Sequence, residues 1–367
     1  MSTSPSKAQK NSYFMNLALN QAKFALGKTS ENPAVGCVIV KNDCVISAGF
    51  TGTGGRPHAE QNAILLSKKN TRNTSIYVTL EPCSHYGKTP PCTKTIAKKG
   101  IKKVFFSIND PDLRSKNKCS QILRVKNISV NKGVCSSELK QFYKSYIKSK
   151  KSLIPFVTCK MALSKDFFII NKKDKWITNQ FSRGRVHLMR SNHDCVMTSS
   201  KTVINDNPKL TCRIKGLESS SPSRIILDKN LSIPITSNVI RESMMYRTII
   251  FYNKYNHKKL NMLKKQKIEF VKIPLDINYE LDLYESLIKA KELGFYRIFL
   301  ESGIKLASSF LSKNLVDELS LFISNKKLKK DGKNNIKKQL DLFLSGKEGI
   351  IENVNLLGDK LVTYIIK

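Results

Sequence analysis

Four residues in the first quarter of the chain have the types and spacing of a hydrolytic zinc centre. His58, Cys83 and Cys92 offer one nitrogen and two sulfur ligands, and Glu60 follows the histidine by two positions. Three protein ligands leave one coordination position of Zn²⁺ for water. Zinc lowers the pKa of that water towards neutrality, and a nearby carboxylate can carry protons to a leaving group. The pattern therefore predicts one Zn²⁺ per chain, with Glu60 as the catalytic proton carrier.

Two helices are expected to begin at these ligands. The residues after Glu60 have the apolar periodicity of a helix, which would place His58 and Glu60 in its first turn. The β-rich run 75–80 leads towards Cys83, and the segment 92–99 is typical of a second helix starting at Cys92. The positive ends of both helices would favour thiolate over thiol, as a zinc ligand requires.

The loop between the two cysteines is longer than in the common deaminase pattern of His-x-Glu, Pro-Cys, a two-residue gap and Cys. Here the polar segment 84–91 separates Cys83 from Cys92, and it could reach over a bound substrate. Three alternatives remain open. The thiols could be reduced core residues, or His85 could close the metal site of a non-catalytic protein. A deaminase acting on nucleic-acid bases is the third, although it should interleave aromatic with basic residues.

The 367 residues are enough for two domains. Lys+Arg 64 against Asp+Glu 28 give a net charge of +36, but lysine is spread along the whole chain, so we predict no nucleic-acid partner. A membrane span needs about 18 or more apolar residues in a row. The sequence has no such run, so we also predict no membrane association. Nine cysteines without a disulfide framework favour a reducing compartment, the cytoplasm.

Periodicity divides the chain into three segments. We expect a disordered leader at 1–10, an α/β layered zinc deaminase domain at 11–151, and a second α/β domain at 152–367. The first predicted helix covers 15–26, and a single helix at 137–150 ends the zinc domain. In the second domain, a strand at 297–300 runs through Glu301–Gly303 into a helix at 306–311, a junction suited to an anion. No Gly-x-Gly-x-x-Gly fingerprint supports an ordinary dinucleotide-binding fold.

The segment Glu81–Cys92, EPCSHYGKTPPC, resembles the zinc loop of the bifunctional riboflavin-biosynthesis deaminase/reductase family. Further segments fit the same family in the same order and extend the resemblance over nearly the full chain: Asn32–Cys37, His58–Glu60, Lys160–Asp166, Trp176–Thr178, Thr202–Thr211 and Val316–Leu319. The resemblance implies a cytidine-deaminase-like three-layer domain followed by a dihydrofolate-reductase-like α/β domain that uses NADPH.

The family resemblance also implies two successive reactions. A zinc-dependent hydrolytic deamination of a diamino-pyrimidinone carrying a phosphoribosylamino group is followed by NADPH-dependent reduction of its ribosyl group to ribityl. His58, Cys83 and Cys92 would then be the zinc ligands and Glu60 the proton shuttle, while Asn32, His85 and Lys88 would contact this small-molecule substrate. The family further suggests a homodimer formed through the second domain.

For the second domain, the resemblance implies two sets of binding residues. The substrate set is Asp174, Arg190, Leu210, Arg213 and Glu301. The NADPH set is Ala162, Trp176, Thr202, Asp206, Lys229, Gly303, Ile304, Lys305, Leu306, Ala307, Ser308 and Ser309.

Several positions depart from the family pattern. Phe167-Phe168 replaces a glycine and a basic residue, Asp174 replaces a small hydroxyl residue, and Lys229 replaces a serine. In the zinc loop, Lys88 stands where the family more often has arginine. A deaminase with a catalytically silent second domain is therefore an alternative.

Overall fold

A computed structural model describes residues 5–68, 70–254 and 256–367. The chain divides between Ser152 and Leu153 into two units, each with its own hydrophobic core. The division falls one residue beyond the predicted domain boundary. No helix in the described ranges has both the length and the apolarity needed to cross a bilayer.

The first unit follows the predicted alternation of helices and strands. Its elements are α1 (Lys7–Lys23), β1 (Gly36–Lys41), β2 (Cys44–Phe50), α2 (Ala59–Leu66), β3 (Ser75–Leu80), α3 (Cys92–Lys98), β4 (Lys103–Ile108), α4 (Cys119–Arg124), β5 (Ser129–Lys132), α5 (Ser136–Phe142) and α6 (Lys144–Lys151). They form one sheet in the order β2-β1-β3-β4-β5, in which β1 is antiparallel to both neighbours and β3, β4 and β5 are parallel.

Two glycines allow helices to lie directly on opposite faces of this sheet. A Cβ on Gly36 would overlap the carbonyl oxygen of Ala18 in α1, and a Cβ on Gly49 would lie 2.5 Å from the amide nitrogen of Ala63 in α2. Gly49 pairs with Cys37, the neighbour of Gly36, so the two glycines face opposite sides of the sheet. Helix, sheet and helix therefore make three layers, which confirms the expected deaminase-like fold.

The prediction of a disordered leader at 1–10 is wrong for residues 7–10. Helix α1 begins at Lys7, because Ser6 and Gln9 form a reciprocal cap: the Gln9 amide donates to Ser6 Oγ at 3.2 Å, and the Ser6 amide donates to Gln9 Oε1 at 2.7 Å. The polar first turns concealed this start from a search for apolar periodicity. Residues 1–4 lie outside the described ranges.

The predicted helix at 137–150 is two helices that meet at Tyr143. This buried tyrosine places its hydroxyl 2.6 Å from Thr79 Oγ1 and donates to the carbonyl oxygen of Ala34 at 3.0 Å. The side chain thus joins α5 and α6 to the ends of β1 and β3. A buried phenol needs such partners, and periodicity alone does not reveal them.

The second unit contains a larger, mostly parallel sheet. Its elements are β6 (Phe156–Leu163), β7 (Phe168–Asn171), α7 (Gln180–Ser191), β8 (Cys195–Ser199), α8 (Ser200–Asp206), β9 (Ser223–Leu227), α9 (Asn238–Arg241), β10 (Thr248–Tyr252), α10 (His257–Lys264), β11 (Glu269–Lys272), α11 (Leu283–Glu292), β12 (Arg297–Glu301), α12 (Ile304–Ser312), β13 (Glu318–Ile323), β14 (Gly332–Asn335), α13 (Lys337–Phe343), β15 (Gly349–Ile351) and β16 (Lys360–Ile365). The sheet order is β11-β10-β9-β8-β12-β6-β13-β16-β15, and β7 pairs separately with β14.

The strands from β11 to β13 in this order are parallel and covered on both faces. In β12, Ile298 and Leu300 belong to one core cluster and Phe299 to another on the opposite face. This double burial explains why the central strands, such as the predicted strand at 297–300, are continuous apolar runs. It also confirms the expected reductase-like α/β architecture. The β7–β14 ribbon, the strands after α12 and helix α8 were not predicted.

We expect Gly36→Ala to destabilise the first unit, because the added methyl group meets backbone and not a movable side chain. Overpacking of this kind costs about 1–3 kcal/mol, measured as the free energy of unfolding in urea. Gly184→Ala is the matched control, since Gly184 lies inside α7 with open space around its Cβ position. That variant should be stabilised by up to about 1 kcal/mol. Equal stability of Gly36→Ala and wild type would contradict the close helix–sheet contact.

Candidate functional site

The predicted zinc ligands lie at the ends of three secondary-structure elements. His58 is the N-cap residue of α2, Glu60 lies in its first turn, and Cys92 is the first residue of α3. Cys83 follows the end of β3 by three positions. Both helices therefore begin at the same point, as expected from the sequence, and their N-terminal ends favour negatively charged ligands there.

The three ligand atoms lie within 4.8 Å of one another. His58 Nδ1 is 3.3 Å from Cys92 Sγ and 3.5 Å from Cys83 Sγ. Separations of about 3.5 Å are those of nitrogen and sulfur ligands around one tetrahedral zinc ion. His85 does not join this group, since its Nδ1 lies 2.8 Å from Ser115 Oγ. Among the described residues the cluster thus has three protein ligands, which suits a zinc ion with an open position.

The cysteine pair is poised to bind a cation. Hydrogen bonding from Cys92 and His58 lowers the pKa of Cys83 to about 4, although burial opposes that shift. The hydrogen bond with Cys83, together with complete burial, raises the pKa of Cys92. One thiolate is therefore present at neutral pH, and a bound metal ion would displace the second proton.

Glu60 is buried beside this cluster, with 3% of its surface exposed. Burial and the negative charge of Cys83 raise the pKa of Glu60 to about 7, while the charge of His58 acts in the opposite direction. A carboxyl group that titrates near neutrality can both accept and return a proton at physiological pH. This environment has the chemistry expected of a proton carrier.

Glu81 supports the zinc loop and was not recognised from the sequence as a supporting residue. Its buried carboxylate accepts hydrogen bonds from the backbone amides of Asp110, Asn117 and Cys119, at 3.1, 3.0 and 3.1 Å. The loop after β4 is thereby tied to the residue that precedes Pro82-Cys83. A glutamate at the end of a buried strand was the available signal, because a buried carboxylate needs partners.

The predicted pyrimidine and phosphate contacts lie on loops around this cluster. Asn32 packs against the loop that leads to His58, where a Cβ on Gly55 would collide with its side-chain nitrogen. His85 is partly buried beside Ser115, and Lys88 is exposed on the loop 84–91. The first unit thus carries His85 and Lys88 on the loop between the two cysteine ligands, and Asn32 on another loop, against the one that leads to His58.

In the second unit, the predicted residues gather at the carboxyl ends of neighbouring parallel strands. Ala162 lies near the end of β6, Thr202 follows β8 in α8, and Glu301 ends β12. Because β8, β12 and β6 are adjacent, these residues share one edge of the sheet. Ligands of open α/β sheets bind at this edge.

The junction between β12 and α12 has free hydrogen-bond donors. Gly303 is the N-cap residue of α12 and provides no capping side chain, and the buried Ser302 Oγ has no hydrogen-bond partner among the described residues. The segment Gly303–Ser309 therefore begins with exposed backbone amides at the positive end of a helix. This donor set fits the phosphate groups of a dinucleotide such as NADPH.

Arg190 and Glu301, both predicted to contact substrate, hold each other. Arg190 Nε and Nη2 pair with the two carboxylate oxygens of Glu301, the second at 2.9 Å, and Nη1 donates to the carbonyl oxygen of Thr211 at 2.9 Å. Arg190 is 9% exposed. The guanidinium is therefore largely occupied, and the pair forms a rigid wall at the edge of the sheet.

Arg213 is exposed near this pair. Partial burial and the positive charge of Arg190 lower the pKa of Arg213. The Arg213 guanidinium is thus the one of the two that is available to an anion, because Glu301 already occupies that of Arg190. Leu210, buried with a φ of 59°, shapes the turn that carries this arginine.

Trp176 is 48% exposed, so its ring is not part of the hydrophobic core. The Arg183 guanidinium lies 4.7 Å from the centre of its ring, and Asp174 Oδ1 accepts a hydrogen bond from the Trp176 amide at 3.1 Å. Asp174 and Trp176 line a surface cavity together with Arg183 and Lys326. The aromatic face is held in place and remains accessible to a ligand.

Of the predicted NADPH-binding residues, Lys229 is already paired within the protein and Asp206 is exposed. Lys229 Nζ donates to the carbonyl oxygen of Tyr279 at 2.8 Å and pairs with Glu280 at 3.0 Å, and Asp206 is exposed at the end of α8.

Phe167, in place of the expected glycine, adopts a left-handed φ of 67°. A bulky residue in that conformation is strained, and the backbone turn is retained despite the substitution.

Comparisons with known proteins match both units. The cytidine and deoxycytidylate deaminase zinc-binding region matches residues 8–108, and the RibD C-terminal domain matches residues 155–336. The riboflavin biosynthesis protein RibD of Aquifex aeolicus is 34% identical over 315 residues, which cover 85% of this chain and 86% of the relative. The RibD protein of Escherichia coli is 29% identical over 337 residues, covering 88% of this chain and 89% of that protein.

Two solved structures share the whole fold. Acinetobacter baumannii RibD superposes with a TM-score of 0.82 at 28% identity, covering 98% of this chain and 99% of that chain. A diaminohydroxyphosphoribosylaminopyrimidine deaminase/5-amino-6-(5-phosphoribosylamino)uracil reductase from Thermotoga maritima gives a TM-score of 0.82 at 31% identity, with the same coverage. Both units thus have the folds of a zinc deaminase and a reductase, which fit Zn²⁺ and NADPH.

We expect purified protein to contain one equivalent of zinc, and Cys83→Ser or Cys92→Ser to lose most of it. A serine hydroxyl is a much poorer zinc ligand than a thiolate. Cys44→Ser is the matched control, because Cys44 is exposed in β2 and lies outside the cluster. Metal content by mass spectrometry measures the effect. Full zinc occupancy in Cys83→Ser would exclude that residue as a ligand.

Proposed function

The chain belongs to the RibD family of riboflavin biosynthesis, and we propose that it catalyses two successive steps of that pathway. The first is hydrolytic deamination of a diamino-pyrimidinone bearing a phosphoribosylamino group. The second is NADPH-dependent reduction of the ribosyl group to ribityl. The observation that carries the proposal is the meeting of His58, Cys83 and Cys92 within 4.8 Å beside the buried Glu60.

In the deamination, the three clustered side chains would hold zinc, and Glu60 would move protons. Zinc, when bound, supplies a water molecule of lowered pKa next to the amino-bearing carbon of the pyrimidine. The Glu60 carboxylate would take one proton from the attacking water and deliver it to the amino nitrogen, which leaves as ammonia. The water oxygen would replace the amino group on the carbon, and the second water proton would remain on the pyrimidine. The Glu60 pKa of about 7 supports both halves of this proton transfer.

Substrate orientation in the first unit would come from the surrounding loops. Asn32 offers an amide to the polar edge of the pyrimidine, while His85 and Lys88 offer donors to the ribose phosphate. Ser115 supports this assignment for His85, because the 2.8 Å contact at Nδ1 holds the ring and leaves Nε2 for a ligand. Lys88 is exposed, as a group that receives a phosphate would be.

In the reduction, the edge formed by β8, β12 and β6 would bind both molecules. NADPH, when bound, supplies the hydride. The N-terminus of α12 and Ser302 would receive its phosphate groups, with Ala162, Thr202 and the face of Trp176 completing the site. Arg213 would bind the sugar phosphate, and the Arg190–Glu301 pair would form the adjoining wall. Lys229 and Asp206 remain members of the proposed NADPH set, and Lys229 pairs with Glu280, which also contacts Lys305 in the first turn of α12.

We further propose a cytoplasmic homodimer that forms through the second unit. All nine cysteines are free, which suits a reducing compartment. The edge strand β15 exposes Ile350 and Ile351, at 54% and 64%, beside unpaired backbone groups. A partner subunit would cover such an edge. Light scattering on the purified protein measures the subunit number.

Glu60→Gln should retain zinc and fold but lose ammonia release by about 10²–10⁴-fold, because the amide cannot accept the proton. The variant should still oxidise NADPH when given the deaminated intermediate. Glu138→Gln, which alters an exposed carboxylate in α5, is the control. Deamination by Glu60→Gln at the wild-type rate would exclude the proposed proton transfer.

Arg213→Ala should lower kcat/KM for the reduction by about 10–100-fold, since it removes a charged hydrogen-bond donor to phosphate, and leave ammonia release unchanged. Arg190→Ala should instead destabilise the second unit by about 3–5 kcal/mol, because it removes both hydrogen bonds that the largely buried Glu301 carboxylate accepts from the guanidinium. Arg241→Ala, an exposed arginine in α9, is the charge-matched control.

NADPH oxidation and unfolding in urea separate the two effects. Wild-type protein that never oxidises NADPH with the deaminated intermediate would favour the alternative of a silent second unit. Wild-type kinetics in Arg213→Ala would remove that residue from the phosphate site.

A further inference from the structure

We propose that Arg56 is an additional substrate-binding residue of the zinc site and that its guanidinium binds the phosphate of the deaminase substrate. This inference rests on the proposed deamination and names a residue that the zinc-loop pattern does not include. Arg56 precedes the metal ligand His58 by two positions and belongs to the loop that leads into α2.

The Arg56 side chain crosses from that loop to the zinc loop 84–91. Its Nη1 donates a hydrogen bond to Thr89 Oγ1. A Cβ on Gly87 would lie 3.2 Å from its Nη2. The guanidinium therefore lies against the backbone of the zinc loop, between the residues on either side of Lys88.

Neither Arg56 nor Lys88 has a carboxylate within ion-pair distance among the described residues. Some other arginines are held by carboxylates: Arg114 pairs with Asp112 at 2.6 Å, and Arg190 and Arg247 hold Glu301 and Glu269. Arg56 Nε and Nη2 also have no hydrogen-bond partner in those ranges, although the side chain is partly buried. The zinc loop thus carries one uncompensated cation, Lys88, and a second one, Arg56, lies against the residues that flank it.

The two cations have complementary chemistry. The exposed ammonium of Lys88 is a mobile point charge, whereas a guanidinium presents a planar fork that matches two phosphate oxygens. The bond to Thr89 fixes the plane of the Arg56 fork before a ligand arrives, so little conformational freedom remains to be lost on binding. A phosphate monoester on the ribose of the pyrimidine substrate is the anion that this pair would select.

The test compares zinc-loaded, full-length variants on the phosphorylated substrate and on its dephosphorylated counterpart, with ammonia release as the readout. Arg56→Ala should raise KM for the phosphorylated substrate by about 10–100-fold with little change in kcat, because a charged hydrogen bond to phosphate is lost. The dephosphorylated substrate should be unaffected. Arg56→Lys should recover part of the loss. Arg124→Ala, an exposed arginine at the end of α4, controls for the change in net charge.

A purely structural role for the Arg56–Thr89 contact predicts a different result. Thr89→Val removes the contact but keeps the guanidinium. If the contact only holds the loop, Thr89→Val and Arg56→Ala will lose activity on both substrates by the same factor, and zinc content will fall with it. That pattern would overturn the proposal. It would also be overturned if the ratio of KM for the phosphorylated substrate to KM for the dephosphorylated substrate were the same in Arg56→Ala as in wild type.

The wild-type control distinguishes a failure of the Arg56 role from a failure of the proposed deamination. If wild-type protein releases ammonia and Arg56→Ala keeps the wild-type ratio of the two KM values, only the role of Arg56 is refuted. Wild-type protein that releases no ammonia from either substrate refutes the proposed deamination and, with it, this role.

Discussion

The convergence of two helix starts and one strand end on a single point is the constraint on which the first unit depends. His58 and Cys92 reach that point because α2 and α3 begin there, and Cys83 because β3 ends nearby. The three-layer packing makes this possible, since Gly36 and Gly49 let helices approach the sheet from both sides. The same compactness buries Glu60, and burial is what raises its pKa to about 7. Fold and proton chemistry therefore have one physical origin.

In the second unit, the ends of parallel strands bring the candidate binding residues together. Parallel strands end at one edge of a sheet, so residues far apart in sequence, such as Ala162, Thr202 and Glu301, meet without any local motif. The edge is stiffened by the Arg190–Glu301 pair, whose charges are buried and mutually satisfied. The free donors lie next to it, at Ser302 and at the start of α12. The rigid Arg190–Glu301 pair and the hydrogen-bond donors beside it together suit the binding of two anionic ligands at this edge.

The effect of the large positive charge depends on whether a carboxylate lies close enough to each cation to neutralise it. A net charge of +36 reflects lysine throughout the chain and does not by itself indicate a partner. Several arginines are neutralised by carboxylates, among them Arg114, Arg190 and Arg247. Arg56 and Arg213, by contrast, lie at the two candidate sites without such a partner among the described residues. Uncompensated guanidinium groups at these sites favour phosphate-bearing substrates.

Residue type and spacing determined the chemistry of the zinc centre and the α/β class of both units, because ligand sets and apolar periodicity are local properties. The strand Ser75–Leu80, which matches the predicted run 75–80, is an example. Only the tertiary structure decided which polar side chains meet. The Ser6–Gln9 cap, the break at Tyr143, the anchoring carboxylate of Glu81 and the reach of Arg56 to Thr89 all depend on contacts or capping geometry that periodicity does not encode. Whether a charge is neutralised or free is likewise a property of neighbours in space, so Arg190 and Arg213 look alike in the sequence and differ in the fold.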